Sequence, residues 1–178
     1  VVLVGAPNAG KSTLFNALTE GGAYADDRLF ATLMTRTRAW DLGGGVSCML
    51  SDTVGFVRDI PHHLVASFKA TLEEATHADL LLVVLDVSDP AAELQFKAVN
   101  AVLDELFEEL NEGEEEKIVR PPTVLLLNKS DRLADNSQLL AWKQRVPDAL
   151  PICALAPTLT ADGTPIPRPG QVELTERV

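Results

Sequence analysis

The residues most able to do chemistry stand near the start of the chain, in a glycine-bounded segment that ends in a lysine and a serine. The segment reads Gly5-Ala6-Pro7-Asn8-Ala9-Gly10-Lys11-Ser12, between an apolar run at residues 1–4 and a helical pattern from residue 11. The glycines permit backbone conformations that a Cβ would obstruct, so the loop amides can point at phosphate oxygens. A lysine supplies charge for the outer phosphates, and a serine hydroxyl can ligate Mg²⁺. The segment therefore predicts a phosphate-binding loop formed by Gly5, Asn8, Ala9, Gly10, Lys11, Ser12 and Thr13.

A second polar segment, Asp52-Thr53-Val54-Gly55, directly follows a predicted strand at residues 46–51. A carboxylate at a strand end, across from the phosphate loop, can hold Mg²⁺ through a water molecule. A glycine amide can approach a γ-phosphate closely because no side chain intervenes. The segment therefore predicts Asp52 as a nucleotide and metal residue, and Gly55 as a nucleotide and catalytic residue.

A switch that responds to a nucleotide also needs a hydroxyl group from the loop after the first helix, so that this loop closes only around a triphosphate. Thr32, Thr35 and Thr37 all stand where they can supply it. The chemistry of the residues alone does not separate these three threonines.

The third polar segment, Asn128-Lys129-Ser130-Asp131, follows a predicted strand at residues 123–127 and suits a guanine base. Asp131 can accept two hydrogen bonds from the N1 and N2 hydrogens of guanine, and adenine offers no such pair of donors. Asn128 can brace the loop, and the stem of Lys129 can lie along the base. The last guanine contact is expected from the loop after the final strand, at Cys153 and Ala154, with the Ala154 amide as the candidate donor.

The framework that must position these segments is an α/β fold, because short apolar runs alternate with helical patterns as in a parallel sheet. Strands are predicted at residues 1–4, 38–42, 46–51, 80–85, 123–127 and 150–155, and the second and third form an antiparallel hairpin around Gly43-Gly44-Gly45. Helices are predicted at residues 11–19, 64–77, 91–110 and 136–145. In the helix at 91–110, six residues are expected near one apolar stripe: Leu94, Ala98, Ala101, Leu103, Leu106 and Leu110.

The carboxy-terminal residues follow a different pattern, with prolines at 157, 165, 167 and 169. Prolines at this density oppose a helix, so we expect an irregular tail with at most a short strand at residues 171–176. Without a helix in this segment, apolar sheet surface would be left uncovered. We therefore divide the chain into a nucleotide-binding domain at residues 1–155 and a tail at residues 156–178.

Composition narrows the function further. A chain of 178 residues with a formal net charge of −11 fits one globular domain, and it does not favour binding of nucleic acid by this chain alone. No apolar run approaches 18 residues, so no membrane span is predicted. The two cysteines, Cys48 and Cys153, are expected to be small core residues rather than a disulfide or a metal pair.

Together these segments resemble the HflX family, within the TrmE–Era–Obg–HflX group of P-loop GTPases. The likeness covers residues 1–155 and is most specific in the run from Asp52 to Leu64, DTVGFVRDIPHHL, and in the Phe-Ala-Thr-Leu segment at residues 30–33. It implies the P-loop NTPase fold, a three-layer α/β/α arrangement whose mostly parallel sheet has one antiparallel strand. The resemblance also implies a final helix packed on the sheet, and the proline-rich residues predict that this helix is missing here. The resemblance further implies that Thr32 is the switch threonine, a metal residue beside Ser12 and Asp52 and a catalytic residue beside Lys11 and Gly55.

The resemblance implies a monomeric GTPase that uses Mg²⁺, binds the large ribosomal subunit and helps to split or rescue stalled ribosomes. Such a protein is expected in the cytoplasm, or in an organellar stroma if the source is eukaryotic. Phe56 stands where many small GTPases carry a water-orienting glutamine, so slow intrinsic hydrolysis is predicted. Asn8, by resemblance to the potassium-activated members of the group, is a candidate to help seat K⁺.

Two other functions stay open at this point. The first is a GTP-binding regulatory or ribosome-assembly module with little turnover, which Phe56 and the missing final helix favour. The second is an ATP-using enzyme, which Asp131 opposes.

Overall fold

The computed structural model describes residues 1–19, 35–55, 74–113 and 117–155, together with Leu174 and Val178. Thr32 and Phe56 lie outside the described residues, as do most of the predicted helix at 64–77, whose residues 74–76 are helical, and most of the predicted tail. In chain order the elements are β1 Val2–Val4, α1 Lys11–Leu18, β2 Arg36–Gly43, β3 Val46–Asp52, β4 Leu81–Asp86, α2 Ala92–Leu110, β5 Thr123–Asn128, a 3₁₀ turn Ser130–Arg132, α3 Ser137–Arg145 and β6 Leu150–Pro151.

The described strands form one six-stranded sheet in the order β2-β3-β1-β4-β5-β6. β2 and β3 pair antiparallel through the predicted hairpin, and the other neighbouring strands pair parallel. This arrangement confirms the predicted α/β fold and its mostly parallel sheet. β1 lies between β3 on one side and β4 on the other, so the strand order reverses direction at β1. In open parallel sheets, ligands bind in the crevice at such a reversal.

The core lies on both faces of the sheet, as the continuous apolar run of β4 predicts for a strand buried on two sides. Successive side chains of a strand point to opposite faces, so alternate residues of β1, β4 and β5 divide between two clusters. One cluster contains Leu3, Leu82, Val84 and Leu126 with Leu14 and Phe15 of α1. The other contains Val2, Val4, Val83 and Leu125 with Val99 and Leu103 of α2 and Trp142 of α3. Helices therefore cover both faces, which is the predicted three-layer arrangement.

The buried stripe of α2 differs from the predicted one. Leu103 and Leu106 are buried as expected, but Leu94 is 64% exposed and Ala101 is also exposed. The sheet contacts α2 through Ala92, Val99 and Leu103. Because Leu94 lies about 200° around the helix axis from Ala92, it faces away from the sheet.

The last strand is shorter than predicted, since β6 contains only Leu150 and Pro151 rather than residues 150–155. Its register pairs Leu126 with Leu150 and Leu127 with Pro151. Beyond this point the backbone of Ile152 accepts a hydrogen bond from the Ser130 hydroxyl at 2.9 Å. The Ile152 amide still donates a hydrogen bond of 2.9 Å to the Leu127 carbonyl of β5. Further along the chain, the Ala154 amide donates to the Asn128 side chain rather than to a strand backbone.

Leu174 corrects the prediction for the carboxy-terminal segment at one position. This residue is helical and fully buried, so the strand expected at residues 171–176 is wrong there. Leu174 packs in the same cluster as Phe15, Trp40 and Leu50, and Val178, four residues later, packs against that cluster. Apolar sheet surface that the sequence left uncovered is therefore covered by Leu174. Residues 156–173 lie outside the described part, and the irregular tail stays a prediction there.

None of the helices among the described residues is both long enough and apolar enough to cross a membrane.

Replacement of Leu174 by alanine tests its place in the core. We expect Leu174→Ala to lower the free energy of unfolding by about 2–5 kcal/mol, because it removes fully buried methyl groups and leaves a cavity. The same substitution at the exposed Leu94 should change stability by no more than about 0.5 kcal/mol. Urea denaturation followed by circular dichroism measures both values, and equal effects of the two substitutions would contradict burial of Leu174.

Candidate nucleotide site

Four polar segments meet at one edge of the sheet. Register pairs Leu3 of β1 with Asp52 of β3, and Asp86 of β4 with Asn128 of β5. Since β3, β1, β4 and β5 run parallel, their carboxyl ends lie at the same edge, where the loop from Gly5 also begins. The sheet thus brings together the three segments that the sequence singled out.

The phosphate loop needs glycine at both ends. Gly5 has φ +152°, and a Cβ there would lie 2.3 Å from the Val84 carbonyl oxygen of β4. Gly10 has φ +99°, and a Cβ there would lie 2.2 Å from the Asn128 side-chain nitrogen. A Cβ at Gly5 would collide with β4, and a Cβ at Gly10 would collide with Asn128, the first residue of the segment 128–131, which we call the base loop. The physical reason for the glycines is therefore the close approach of a backbone carbonyl at Gly5 and of the buried Asn128 side chain at Gly10.

Helix α1 begins directly after Gly10, and no side-chain hydrogen bond caps that start. The first amides of a helix lack partners within the helix, and they carry the positive end of its dipole. Ser12 and Thr13, both predicted as binding residues, belong to this first turn. The start of α1 therefore suits an anion such as a phosphate group.

Lys11 is a buried ammonium that is only 6% exposed. Its Nζ donates hydrogen bonds to the Gly5 carbonyl at 3.1 Å and to the Ala6 carbonyl at 3.0 Å. Burial lowers the pKa of Lys11 to about 8, although the charge of Asp52 acts in the opposite direction. Both hydrogen-bond acceptors of the ammonium are neutral carbonyls, so a phosphate placed in the loop would add negative charge directly at the ammonium.

The segment after β3 is fixed to the phosphate loop. The Thr53 hydroxyl donates a hydrogen bond of 2.6 Å to the Leu3 carbonyl of β1, and Asp52 is fully buried. A Cβ on Gly55 would lie 2.7 Å from the Pro7 backbone nitrogen. Glycine at 55 therefore lets this segment lie directly against Pro7 of the phosphate loop.

The donor set fits Mg²⁺ bound jointly by protein and phosphate oxygens. Within the described ranges, no group of three or more histidine, cysteine, aspartate or glutamate side chains could hold a metal ion. Ser12 and Asp52 offer only hard oxygen ligands, which Mg²⁺ prefers, and it commonly completes its shell with water and substrate phosphates. Thr37, one of the threonine candidates, lies in β2, and its hydroxyl is hydrogen-bonded to that of Ser51 at 2.8 Å.

Asn128 joins the phosphate loop to the loops beside it. It is 2% exposed, and its Nδ2 donates a hydrogen bond of 2.8 Å to the Ala9 carbonyl of the phosphate loop. Its Oδ1 accepts a hydrogen bond of 3.1 Å from the Ala154 amide in the loop after β6. One side chain therefore fixes the spacing between three loops.

The residues predicted to contact guanine differ in their exposure and in their hydrogen-bond partners. Asp131 is exposed within the 3₁₀ turn, where its carboxylate can reach a ligand. The Ala154 amide, which the sequence offered as a guanine donor, donates instead to Asn128. Cys153, the neighbouring candidate, is half-buried. A guanine oxygen at this position would have to share the Ala154 amide with Asn128.

Lys129 and Asp86 form an ion pair that sequence analysis missed. The Lys129 ammonium lies 2.6 Å from Asp86 Oδ2 and donates a second hydrogen bond of 2.8 Å to the Asn8 carbonyl. Asp86 ends the apolar run of β4 with a carboxylate, in register with Asn128. The signal that could have revealed it is a charged residue at the carboxyl end of a central strand, next to the strands that carry the other site segments.

Comparison with known proteins is consistent with this geometry. A family described as "50S ribosome-binding GTPase" matches residues 1–129. A protein of Magnetococcus marinus named GTPase HflX is 53% identical over 133 residues, which cover 75% of this chain and 28% of that protein. The chain spans 28–30% of the length of the first three curated relatives it matches, all of which carry that name.

Solved structures give the same fold. A variant of Aquifex aeolicus Era bound to GDP·AlF₄⁻ aligns with a TM-score of 0.64 at 20% identity, over 86% of this chain and 50% of that one. A GTP-binding protein of Sulfolobus solfataricus in complex with GDP aligns with a TM-score of 0.56 at 28% identity, over 86% of this chain and 46% of that one.

The buried ammonium of Lys11 predicts a pH dependence of stability without nucleotide. Between pH 8 and 10.5 the unfolded chain keeps the lysine proton and the folded chain releases it, so the free energy of unfolding should rise with pH. The lowered pKa corresponds to a gain on the order of 3 kcal/mol across that range. Urea unfolding at several pH values, with wild type compared with Lys11→Met, measures the gain.

The matched control is Lys143→Met, which removes an exposed ammonium from α3. The difference between wild type and this control variant should stay constant over the same pH range. If wild type gained no more stability than Lys11→Met between pH 8 and 10.5, Lys11 would have an ordinary pKa and the description of its burial would be wrong.

Proposed function

The chain belongs to the family of 50S ribosome-binding GTPases and is of the HflX type within it, and we propose that residues 1–155 bind GTP and GDP with Mg²⁺ and hydrolyse GTP to GDP and phosphate. The observation that carries the proposal is the Asn128 side chain, which joins the phosphate loop to the loop of Ala154. These two hydrogen bonds fix the distance between the phosphate loop and the loop that contains Ala154. A nucleotide is the ligand that needs both at once.

Binding of phosphate would change the partners of Lys11. Its ammonium would exchange the neutral Gly5 and Ala6 carbonyls for phosphate oxygens, and the negative charge would raise its pKa again. The amides at the start of α1 would bind the same phosphates. Ser12 and Asp52 are the described residues that we assign to Mg²⁺, which would neutralise charge on the β- and γ-phosphates.

Selection of the base is assigned to Asp131. An exposed carboxylate can pair with the N1 and N2 hydrogens of guanine, and adenine would leave it without these donors. The Lys129 stem would lie beside the base while its ammonium stays on the Asn8 carbonyl. The Ala154 amide would contribute a shared hydrogen bond to the guanine oxygen.

Hydrolysis requires a water molecule in line with the γ-phosphate and donors for the developing charge. Lys11 and the Gly55 amide are assigned these donor roles, because glycine lets the chain lie against the phosphate loop at Pro7. Thr32 and Phe56, which lie outside the described residues, keep their predicted roles as switch threonine and as the cause of a slow intrinsic rate. Asn8, whose φ is +58°, remains the candidate for a K⁺ site.

Removal of the Asp131 carboxylate tests the base assignment. Because the guanine N1 and N2 hydrogens lose their acceptor, Asp131→Ala should raise the Kd for GDP by about 100-fold. Wild type should prefer GDP to ADP by at least that factor, because adenine leaves the Asp131 carboxylate without donors. Calorimetric titration in Mg²⁺ measures these values. Glu105→Ala, on an exposed face of α2, is the control and should bind GDP normally. Equal affinity of wild type for ADP and GDP would contradict the proposal.

We further propose that the GTP-bound chain associates with the large ribosomal subunit, since the matching family carries that description. More of the chain should sediment with 50S subunits in a non-hydrolysable GTP analogue than in GDP, and little with 30S subunits. Single-turnover GTP hydrolysis should be faster when 50S subunits are present. Hydrolysis without any 50S dependence would remove the ribosomal part alone, whereas binding without turnover would favour a regulatory module.

A further inference from the structure

Asp86 stands between the phosphate loop and the base loop, at the end of β4, whose neighbours β1 and β5 lead into those loops. Resting on the proposed nucleotide binding, we propose that Asp86 is a positioning residue for the nucleotide. It holds the Lys129 ammonium on the Asn8 carbonyl and thereby fixes the phosphate loop against the base loop. The residue itself touches neither phosphate nor base in this assignment, and it acts through Lys129.

Both oxygens of the Asp86 carboxylate have partners, so its direction is set. Oδ1 accepts hydrogen bonds from the Ser88 amide at 3.0 Å and from the Ser88 hydroxyl at 2.6 Å. Oδ2 accepts from Lys129 Nζ at 2.6 Å. The side chains of Lys129 and Asp86 are only 20% and 14% exposed, so water screens this pair less than a surface ion pair. The carboxylate is therefore aimed at one place and holds the ammonium there.

The charge on Asp86 is maintained at neutral pH. Burial raises the pKa of this carboxyl, but hydrogen bonds from Lys129 and Ser88 outweigh that effect and hold the pKa below its ordinary value. The interaction with Lys129 is thus a charge-assisted hydrogen bond, which is roughly twice as strong as a neutral one.

The hydrogen bond from Lys129 to the Asn8 carbonyl connects two residues with strained backbones. Asn8 has φ +58° and Lys129 has φ +60°, the only positive values among the described non-glycine residues. Left-handed backbone costs free energy in residues with a side chain, so it persists where surrounding contacts impose it. The Lys129 ammonium binds the Asn8 carbonyl and is itself held by Asp86. Asp86 therefore supplies one of the contacts that keep both loops in these conformations.

A second link, through Asn128, joins the same two loops without any charge. It would stay in place if the Asp86 carboxylate lost its charge, so the fold should survive that change. What would weaken is the fixed position of Lys129 before the nucleotide arrives, and with it the lifetime of the bound nucleotide. This difference separates a positioning role from a purely structural one.

The test is the rate at which fluorescent N-methylanthraniloyl-GDP leaves the protein when excess GDP is added. Asp86→Asn keeps the shape and removes the charge, and it should raise the dissociation rate about tenfold. Asp89→Asn is the matched control in the same loop, since its carboxylate binds the Ala91 amide and the Gln95 side chain but not Lys129. The control should change the rate less than about twofold.

A double-mutant cycle shows whether Asp86 acts through Lys129. In a Lys129→Met background, Asp86→Asn should cause no further increase in the dissociation rate, because the ammonium that Asp86 positions is already gone. An increase of the same size in both backgrounds would overturn the proposal and indicate a general structural effect. Thermal unfolding without nucleotide should differ little between Asp86→Asn and Asp89→Asn.

Ser88→Ala keeps the test decisive if Asp86→Asn does not fold. It removes the 2.6 Å hydrogen bond that orients the carboxylate while the charge remains. A smaller increase in the dissociation rate is expected, and this increase should also vanish in the Lys129→Met background. Unchanged dissociation in every Asp86 and Ser88 variant that folds would overturn the inference alone. Failure of wild type to bind any GDP would instead refute the proposed function.

Discussion

The interaction on which the rest of the site depends is the pair of hydrogen bonds made by the Asn128 side chain. A buried amide joins the Ala9 carbonyl to the Ala154 amide, and a buried polar group without such partners would cost free energy. The bridge therefore ties the geometry of the phosphate loop to that of the loop after β6. Gly10 fits the same constraint, because a Cβ there would collide with the Asn128 side chain.

A second constraint is the charge buried at the centre of the phosphate loop. The Lys11 ammonium donates hydrogen bonds to two neutral carbonyls, and burial lowers its pKa to about 8 although the charge of Asp52 opposes that shift. Functional sites commonly hold groups whose pKa is displaced by burial. The folded protein thus holds a charge in an unfavourable environment, and under the proposed function a bound phosphate group would relieve that cost. The Lys129 ammonium differs from that of Lys11, because it forms an ion pair with the Asp86 carboxylate of the folded chain.

Much of the fold was predictable from local patterns. The alternation of apolar runs and helical segments predicted the α/β fold, and the triple glycine at 43–45 predicted the hairpin that the structure contains. Local sequence patterns gave wrong predictions where the burial of a residue depends on segments that are distant in the sequence. Leu94 matched an apolar stripe but faces away from the sheet, and Leu174 follows a proline-rich stretch but is helical and buried in the core. The sheet's packing partners, rather than local propensity, decided both positions.

The sequence by itself determined which residues are candidates for chemistry, because the spacing of glycines, lysine, serine, aspartate and asparagine reflects requirements of phosphate and base that are local. Only the tertiary structure decided how these segments act together. Asp86 is recognised as part of the site only because strand register places it opposite Asn128. The Ala154 amide, which the sequence offered as a guanine donor, is hydrogen-bonded to Asn128 in the folded chain. The physical reason is that side-chain hydrogen bonds join segments more than 100 residues apart, here Ala9 and Asn128, and local spacing carries no information about such distances.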